Sequence, residues 1–433
     1  MDITPLDDWI CAKTGARDAE SLRAYQLEKF RETVDYVNKN SRFYREHLAN
    51  IETDRIRSLD DISIIPFTTA KMIIDSPLDY VCVTPGDIER IVTLPTSGTT
   101  GPSKRIFFTQ DDQELTIDFF RHGMSTLVGE NDKVLIFLPG KTVGSVGDLL
   151  KRGLERLGCE GMIYGPIRDY VDALRVLSSG VCNCVVGLSA QIFALSRLGE
   201  GIKLKSVLLC SDFVPTAAVR AIGKEWDCEV FCHYGMTETG LGGGVECSAH
   251  MGYHMWENDF LFEIIDPVSG VPIRDGGCGE LVFTTLQRRG MPLVRYRTDD
   301  ISAVLAEPCP CGSRFRRFER ISGRMSDFIQ IKKSSGTFKL SMPMLDELLY
   351  VVPGLVGFSA KITSGEDHDV LAISVFAPDT TGAIGEVKER LQSDRYIGKN
   401  LSEGSLGLEV RQGGPEILTY GNTKRRIVRE TRG

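Results

Sequence analysis

Apolar side chains first recur at helical spacing and then form short continuous runs. Over residues 19–50, leucine, tyrosine, phenylalanine and valine return at helical spacing among charged residues, which predicts a helix. From Lys133 to Val304, apolar runs such as 133–138, 182–188 and 206–210 alternate with helical patterns. Strands that are apolar throughout and separated by helices indicate a mostly parallel sheet with both faces covered. We therefore predict an α/β fold whose ligands lie at the carboxyl ends of its strands.

The pattern changes twice towards the C-terminus. After Asp266, short apolar runs separated by turn residues predict hairpins and hence a β-rich subdomain. From Gly323 a smaller unit follows. It has strand patterns near 328–331, 356–362 and 370–375, a helix pattern at 384–392 and a basic tail at 415–432. We predict a large N-terminal domain over residues 1–324 and a small α+β C-terminal domain over residues 325–433.

The composition narrows the class of protein. Of the 433 residues, 42% are hydrophobic and 25% are charged, values typical of a soluble globular chain. The formal net charge of −8 argues against nucleic acid as the main partner. No apolar run has the length of a membrane span, the N-terminus lacks a signal-peptide pattern, and most of the twelve cysteines lie in apolar runs. These features predict a cytoplasmic protein with reduced thiols and no membrane partner.

A polar, glycine-containing segment follows the β-like run 91–94. Glycines let backbone N–H groups approach phosphate oxygens, hydroxyl groups donate hydrogen bonds, and lysine supplies charge. Only two residues separate Gly98 from Gly101, so the segment is not a Walker A loop, which needs four. An exposed polar turn is the alternative interpretation. The residues predicted to bind phosphate are Thr96, Ser97, Gly98, Thr99, Thr100, Gly101 and Lys104.

Two further motifs directly follow predicted strands. Tyr-Gly-Met-Thr-Glu at 234–238 places a glutamate beside the polar loop, and a carboxylate beside phosphates is a usual ligand of Mg²⁺. Tyr-Arg-Thr-Asp-Asp at 296–300 offers a carboxylate that can accept both hydroxyls of a ribose. Taken singly, a helix cap and a tight turn explain these segments better than a binding role does. The candidate residues are Tyr234, Gly235, Met236, Thr237, Glu238 and Asp300.

Two segments near the change of composition and near the C-terminus are candidates for motion. Gly-Arg-Met-Ser-Asp at 323–327 lies between the large and small units and predicts a hinge. Gly-Asn-Thr-Lys-Arg-Arg at 421–426 can bring a cation to an active site from the small domain. The alternative for this second segment is a solvated basic tail.

A cysteine-rich turn predicts a structural metal site. Cys309 and Cys311 stand in a Cys-Pro-Cys-Gly segment, and Cys247 and His254 lie upstream. Four such ligands in two pairs suit tetrahedral zinc, although the spacings are not those of a common zinc finger. His250 competes with His254 for the fourth position, and a hairpin tip with two free thiols is the alternative.

Together and in this order, these motifs resemble the adenylate-forming enzymes, and within them the phenylacetate–CoA ligases most of all. The resemblance also rests on the segments 66–69, 263–267, 280–286 and 291–298 and spans nearly the whole chain. It implies a large ATP- and acid-binding domain with a β-rich subdomain and a mobile C-terminal lid. Some members of the group carry the Cys-Pro-Cys-Gly element and bind zinc there.

The resemblance implies a two-step reaction with ATP, Mg²⁺ and CoA. A small carboxylic acid, aryl or arylacetic, is activated as acyl-adenylate with release of pyrophosphate, and transfer to CoA then gives a thioester and AMP. A homodimer is also an expectation from the family. Two alternatives stay open. In one, the acyl group passes to a carrier-protein thiol or an amine, and in the other the chain is a catalytically silent nucleotide- or acyl-binding protein.

The resemblance also assigns roles to residues, with three departures from the family pattern. Asn422 stands where the group has lysine, which leaves Lys424 as the nearby cation, and Ser326 replaces the first aspartate of the hinge. The adenine-side motif is Cys-Ser-Asp at 210–212. The implied catalytic residues are Lys424, Glu238, Thr237 and Thr96; Ser211, Asp212 and Arg324 join the nucleotide site; Ser326 and Asp327 form the hinge; and Leu138, Gly140, His233 and Gly240 line the acyl pocket.

Overall fold

The chain forms two compact units. The structure, a computed structural model, describes residues 4–94, 103–210, 212–333, 336–364, 368–418 and 425–431. The first unit comprises residues 1–131, 140–161 and 232–321, and the second comprises residues 132–139, 162–231 and 322–433. The domain boundary predicted between residues 324 and 325 stays a prediction.

Helices of the first unit lie before its main sheet in the chain. Their bounds are Pro5–Thr14, Ala19–Asn40, Arg42–His47, Ala70–Asp75, Gln110–Met124 and Val146–Arg156, with short 3₁₀ turns at Thr53–Arg55, Asp61–Ile64, Pro77–Tyr80 and Pro85–Asp87. The helix predicted over 19–50 is present but interrupted. Its second part begins after Ser41, whose hydroxyl accepts a hydrogen bond from the Tyr44 amide at 3.2 Å and thereby caps a new helix.

The main sheet of the first unit is antiparallel, as the predicted hairpins require. Its strands follow the spatial order Phe260–Ile265, Cys278–Thr285, Tyr296–Leu305, Arg317–Phe318, Tyr253–Met255 and Gly244–Glu246. The last of these pairs with the end of strand Glu229–Tyr234, within which the chain passes from the second unit into the first. A separate antiparallel pair, Arg90–Leu94 and Lys104–Phe108, brackets the predicted phosphate loop.

The second unit contains the parallel sheet that the continuous apolar runs predicted. Strands Lys133–Ile136, Cys184–Leu188 and Ser206–Cys210 pair in parallel and are almost entirely buried. Three helices separate these strands in the chain or follow them, namely Tyr170–Ser178, Ser189–Leu198 and Thr216–Trp226. The chain passes from the first unit into the second within strand Glu160–Ile163. The predicted α/β class is confirmed.

Residues 322–433 add the predicted small α+β arrangement to the second unit. A four-stranded sheet has the order Leu406–Gln412, Asp369–Phe376, Gly357–Ser364 and Val428–Thr431, and its helices are Met342–Leu349, Thr380–Ser393 and Ile397–Ser402. Strands Ile329–Lys333 and Gly336–Leu340 form a hairpin. The tail predicted at 415–432 is wrong in part, because Val428–Thr431 pairs in parallel with Gly357–Ser364. Among the described residues, no helix combines the length and apolarity that a membrane span requires.

Candidate active site

A tight turn presents Glu238 directly after strand Glu229–Tyr234. The Thr239 hydroxyl donates to the Met236 carbonyl at 2.9 Å, and the Met236 amide donates to the same hydroxyl at 3.1 Å. These local bonds close the turn on itself, which holds the Glu238 backbone in one conformation. The turn also contains the predicted site residues Gly235, Thr237 and Gly240.

Glu238 is a buried carboxylate held by two donors from distant segments. The Lys104 ammonium forms an ion pair with it, and the Tyr296 hydroxyl donates to its Oε1 at 2.9 Å. The Glu238 side chain is only 2% exposed. Burial opposes its ionisation, but the charge of Lys104 and the hydrogen bond from Tyr296 hold the pKa of the Glu238 carboxyl below its usual value. The carboxylate therefore stays charged although it is buried.

Asp300 lies on the same strand as Tyr296, Tyr296–Leu305, and is also buried. The Tyr234 hydroxyl donates to its Oδ2 at 3.0 Å, and the Asp300 amide donates to the Thr298 hydroxyl at 3.1 Å. The sulfur of Met236 lies 3.9 Å from the Tyr234 oxygen. The structure thus brings the predicted residues Tyr234, Met236 and Asp300 together.

His233 precedes the turn and lies among aromatic rings. Its ring centroid is 5.9 Å from that of Phe119 and 6.3 Å from that of Phe120. Burial lowers the pKa of His233 to about 4, so the imidazole is neutral at physiological pH. Its Nε2 is buried and has no hydrogen-bond partner among the residues that the structure describes.

The other predicted acyl-pocket residues lie in different settings. Leu138 is 3% exposed and belongs to the second unit, whereas Gly140 belongs to the first. Gly240 has a φ of +67°, and a Cβ at this position would come within 2.4 Å of the guanidinium nitrogens of Arg288. Only glycine permits this close approach, because another residue would need both the space and the left-handed backbone conformation.

The four predicted zinc ligands form a cluster in the first unit. The ligand atoms of Cys247, His254, Cys309 and Cys311 all lie within 4.8 Å of one another, with 3.6 Å between the sulfurs of Cys247 and Cys309 and 3.5 Å between the Cys311 sulfur and the His254 Nε2. His250 instead faces Glu246, with 3.7 Å between its Nδ1 and the Glu246 Oε2. Three thiols and one imidazole fit a tetrahedral zinc ion.

Curated proteins with similar sequences are phenylacetate–CoA ligases, although no family model matches the chain. The protein from Escherichia coli strain K12 is 30% identical over 332 residues, which are 72% of this chain and 73% of that protein. The protein from Thermus thermophilus is 29% identical over 328 residues, 72% of each chain. The chain belongs to the phenylacetate–CoA ligase family. The family prediction is thereby confirmed.

Solved structures agree with this family's fold. A 2-hydroxyisobutyryl-CoA ligase in its postadenylation state, in complex with 2-HIB-AMP, superimposes with a TM-score of 0.80 at 17% identity, over 94% of this chain and 89% of that one. The anthranilate CoA ligase AuaEII, in complex with anthranoyl-AMP, gives a TM-score of 0.53 at 14% identity, over 76% of this chain and 64% of that one. At these identities the likeness is one of fold.

In this member of the phenylacetate–CoA ligase family, Asp212, which was predicted to lie on the adenine side, contacts the C-terminal segment. Its Oδ2 accepts a hydrogen bond from the Arg425 amide at 3.4 Å. The Arg425 guanidinium forms an ion pair with Asp346 and donates to the Phe358 carbonyl at 2.9 Å. All four residues belong to the second unit. Arg425 therefore fixes the chain just after the predicted catalytic Lys424.

Other predicted residues of this family member are placed less fully. Arg324 is in the short strand Gly323–Arg324, and Ser326 and Asp327 are in the 3₁₀ turn Met325–Asp327. Several predictions lie outside the described residues, namely Thr96, Ser97, Gly98, Thr99, Thr100, Gly101, Ser211 and Lys424.

The sequence analysis of this phenylacetate–CoA ligase family member missed Tyr296 and Arg425 as site residues. Both lie inside the motifs 296–300 and 421–426, from which the neighbouring Asp300 and Lys424 were predicted instead. Each carries a donor at the edge of a strand or beside one, and each meets a buried carboxylate. The available signal in the sequence is a side chain with a hydrogen-bond donor inside the same motif as a predicted site residue.

Proposed function

We propose that the chain is an ATP-dependent acid–CoA ligase that acts in two steps. In the first step, a carboxylate oxygen of the acid attacks the α-phosphorus of ATP, the bond to the β-phosphate oxygen breaks, and pyrophosphate leaves. In the second step, the sulfur of CoA loses its proton and attacks the acyl carbon, and AMP leaves. Membership of the phenylacetate–CoA ligase family supports this proposal. The observation that carries it is Glu238, ionised and buried after a strand, with Lys104 and Tyr296 against it.

The residues around Glu238 suit the handling of a nucleotide. Glu238 is the residue that would hold Mg²⁺, which supplies neutralisation of phosphate charge when bound. Lys104 brings a second positive charge to the same place. Asp300 has one oxygen fixed by Tyr234 and is suited to accept the hydroxyls of the ribose. The hydroxyls of Thr96, Ser97, Thr99 and Thr100 are proposed to donate to phosphate oxygens.

The C-terminal segment is proposed to supply the catalytic cation. Lys424 is the candidate because Asn422 replaces the family lysine. The contact of the Arg425 amide with Asp212, an adenine-side residue, supports this choice, since Lys424 is its neighbour in the chain. Rotation of a lid about residues 326 and 327 would withdraw the lysine before the second step.

The acid is proposed to be small and aromatic or arylacetic. Phe119 and Phe120 provide apolar surface beside His233, and a neutral imidazole brings no charge whose desolvation would oppose binding of an apolar ring. The relatives are named phenylacetate–CoA ligases, which agrees with this class.

The experiment that tests the function is acid-dependent ATP–pyrophosphate exchange over a panel of aryl, arylacetic and aliphatic acids, followed by AMP release with and without CoA. We expect exchange with an arylacetic or aryl acid and AMP release that depends on CoA. Exchange together with AMP release that does not depend on CoA would indicate that the acceptor is a carrier-protein thiol or an amine and not CoA. Protein that binds ATP but shows no exchange with any acid would contradict ligase activity. Size measurement in solution tests the expected homodimer.

We also propose that Cys247, His254, Cys309 and Cys311 hold one structural zinc ion. The burial of Cys247, His254 and Cys309 and the mutual distances of all four ligand atoms support this proposal. Metal analysis of the wild type should give one zinc ion per chain. Cys309→Ser should lose the zinc and lower the thermal midpoint, because metal binding contributes directly to folding free energy. The exposed Cys278 gives the control Cys278→Ser, which should keep the zinc. Zinc below stoichiometry, with a stability that chelation does not change, would contradict the proposal.

A further inference from the structure

Arg288 is a buried arginine whose contacts converge on the turn that carries Glu238. Its side chain is 4% exposed, and it lies in the connection between strands Cys278–Thr285 and Tyr296–Leu305. One terminal nitrogen donates to the Asp112 carbonyl at 2.7 Å. The other donates to the Thr239 carbonyl at 3.2 Å and lies 3.3 Å from the Thr116 hydroxyl. The guanidinium therefore joins helix Gln110–Met124 to the residue that follows Glu238.

A second bond from the same helix reinforces this connection. The Thr116 hydroxyl donates to the Gly240 carbonyl at 2.7 Å. The two carbonyls that follow Glu238 in the chain are thus both held by donors, one from Arg288 and one from Thr116. Gly240 permits the arrangement, because its missing side chain leaves room for the guanidinium.

The connection that carries Arg288 is itself fixed to helix Gln110–Met124. The amides of Arg289 and Gly290 donate to the two carboxylate oxygens of Asp112 at 2.8 and 2.9 Å. Asp259 supplies a counter-charge, with 3.6 Å between its Oδ2 and the Arg288 Nε. The Arg288 guanidinium also lies over the Trp256 ring, 5.4 Å from its centroid. Both ends of the bridge are therefore anchored, and neither depends on Glu238.

We propose that Arg288 is a positioning residue for Glu238. Its backbone hydrogen bonds go to the Asp112 carbonyl and to the turn, and not to the Glu238 carboxylate. It fixes the backbone of the turn through the Thr239 carbonyl. The Glu238 carboxylate therefore keeps one position and does not reorganise when the nucleotide binds. This inference rests on the proposed function only for the role of Glu238 in binding Mg²⁺ with ATP. The bridge itself can be tested without any reaction.

The first test is amide hydrogen exchange of peptides that cover residues 235–242 in the full chain. Arg288→Met keeps the length of the side chain but removes its hydrogen bonds, so these amides should exchange about tenfold faster. Arg288→Lys should recover part of the protection. Thr116→Val removes the neighbouring donor with little change of shape and should raise exchange in the same peptides. It remains informative if Arg288→Met does not fold.

A matched control separates this effect from general destabilisation. Arg317 is also buried in the first unit and donates to three backbone carbonyls, those of Met251, Glu307 and Pro308. Arg317→Met should lower stability while leaving exchange over 235–242 at its wild-type rate. Unchanged protection in both Arg288→Met and Thr116→Val would overturn the proposal, as would an equal loss of protection in Arg317→Met.

The second test is kinetic and uses the ATP–pyrophosphate exchange assay. We expect Arg288→Met to raise the KM for Mg·ATP or lower kcat/KM about tenfold, with partial rescue in Arg288→Lys. A wild-type KM and kcat in Arg288→Met would overturn the link to Glu238, even if the turn had become mobile. Absence of exchange activity in the wild type would count against the proposed function alone, because the hydrogen-exchange result would still decide whether Arg288 fixes the turn.

Discussion

Glu238 and Asp259 are both fully buried carboxylates in the first unit, and each faces one cation, yet their surroundings have opposite effects on charge. Glu238 contacts the Lys104 ammonium directly and accepts a hydrogen bond from Tyr296. Asp259 lies 3.6 Å from Arg288, and neither of its oxygens has a hydrogen-bond partner within the described part of the chain. Direct donors, rather than a nearby charge alone, make the difference.

The two pKa values follow from this contrast. The Glu238 pKa lies below its usual value because Lys104 and Tyr296 outweigh the effect of burial. Burial raises the pKa of Asp259 from 3.8 to about 6, and Arg288 offsets only part of that rise. A carboxylate such as Glu238 stays ionised and can bind a cation that accompanies a nucleotide. One such as Asp259 carries a charge at neutral pH at the expense of stability, and its use is to balance Arg288.

The largest effect is expected from Glu238→Gln. Loss of the charge should reduce ATP–pyrophosphate exchange roughly 10²- to 10³-fold, the scale of removing one electrostatic contact in a catalytic site. The change also removes the negative charge that pairs with the Lys104 ammonium. Glu257→Gln is the matched control, because Glu257 is equally buried and pairs with Arg316 at 3.1 Å. Exchange in Glu238→Gln within a few-fold of that in Glu257→Gln would contradict the role of Glu238.

A second prediction concerns the pH dependence of stability in Asp259→Asn. Because the folded protein binds the Asp259 proton more tightly than the unfolded chain, this group costs stability as the pH rises from about 4 to about 6. Asparagine does not titrate. The free energy of unfolding of the variant, relative to wild type, should therefore rise by up to about 3 kcal/mol across this window. Denaturant unfolding at several pH values measures it, and a constant difference between the two proteins would show that Asp259 titrates normally.

The sequence predicted the parts of this molecule that depend on local pattern. Continuous apolar runs such as Ser206–Cys210 became parallel strands, because burial of both faces leaves a clear signature. The metal cluster was also predictable, since His254 and Cys247 lie on or beside two short strands that pair with each other, Gly244–Glu246 and Tyr253–Met255. In both cases the chemistry of the residues and their spacing restrict the possible structures.

Contacts between distant segments were not predictable in this way. Lys104 and Glu238 are 134 residues apart, and Arg288 and Asp112 are 176 residues apart. Taken by itself, the segment of Lys104 predicts a phosphate contact and that of Gly240 an acyl pocket. Neither segment shows that Lys104 pairs with Glu238 or that Gly240 lies against Arg288. The strand Val428–Thr431 was missed for the same reason, because four residues show no clear alternation and only pairing with Gly357–Ser364 defines it.

The smallest effect is expected from Tyr296→Phe, which makes Glu238 more like Asp259. The variant keeps the ring and the Lys104 charge but removes the hydrogen bond of 2.9 Å to Glu238. A hydrogen bond to a charged group contributes about 1.5 kcal/mol, so kcat/KM for Mg·ATP in the exchange assay should fall roughly tenfold. Tyr44→Phe is the control, because the Tyr44 hydroxyl is equally buried but accepts from the Val294 amide at 2.8 Å, away from Glu238. It should lower stability and leave exchange unchanged. Equal kinetics in the two variants would mean that Lys104 alone keeps Glu238 charged, and the contrast with Asp259 would then rest on the distance to the cation.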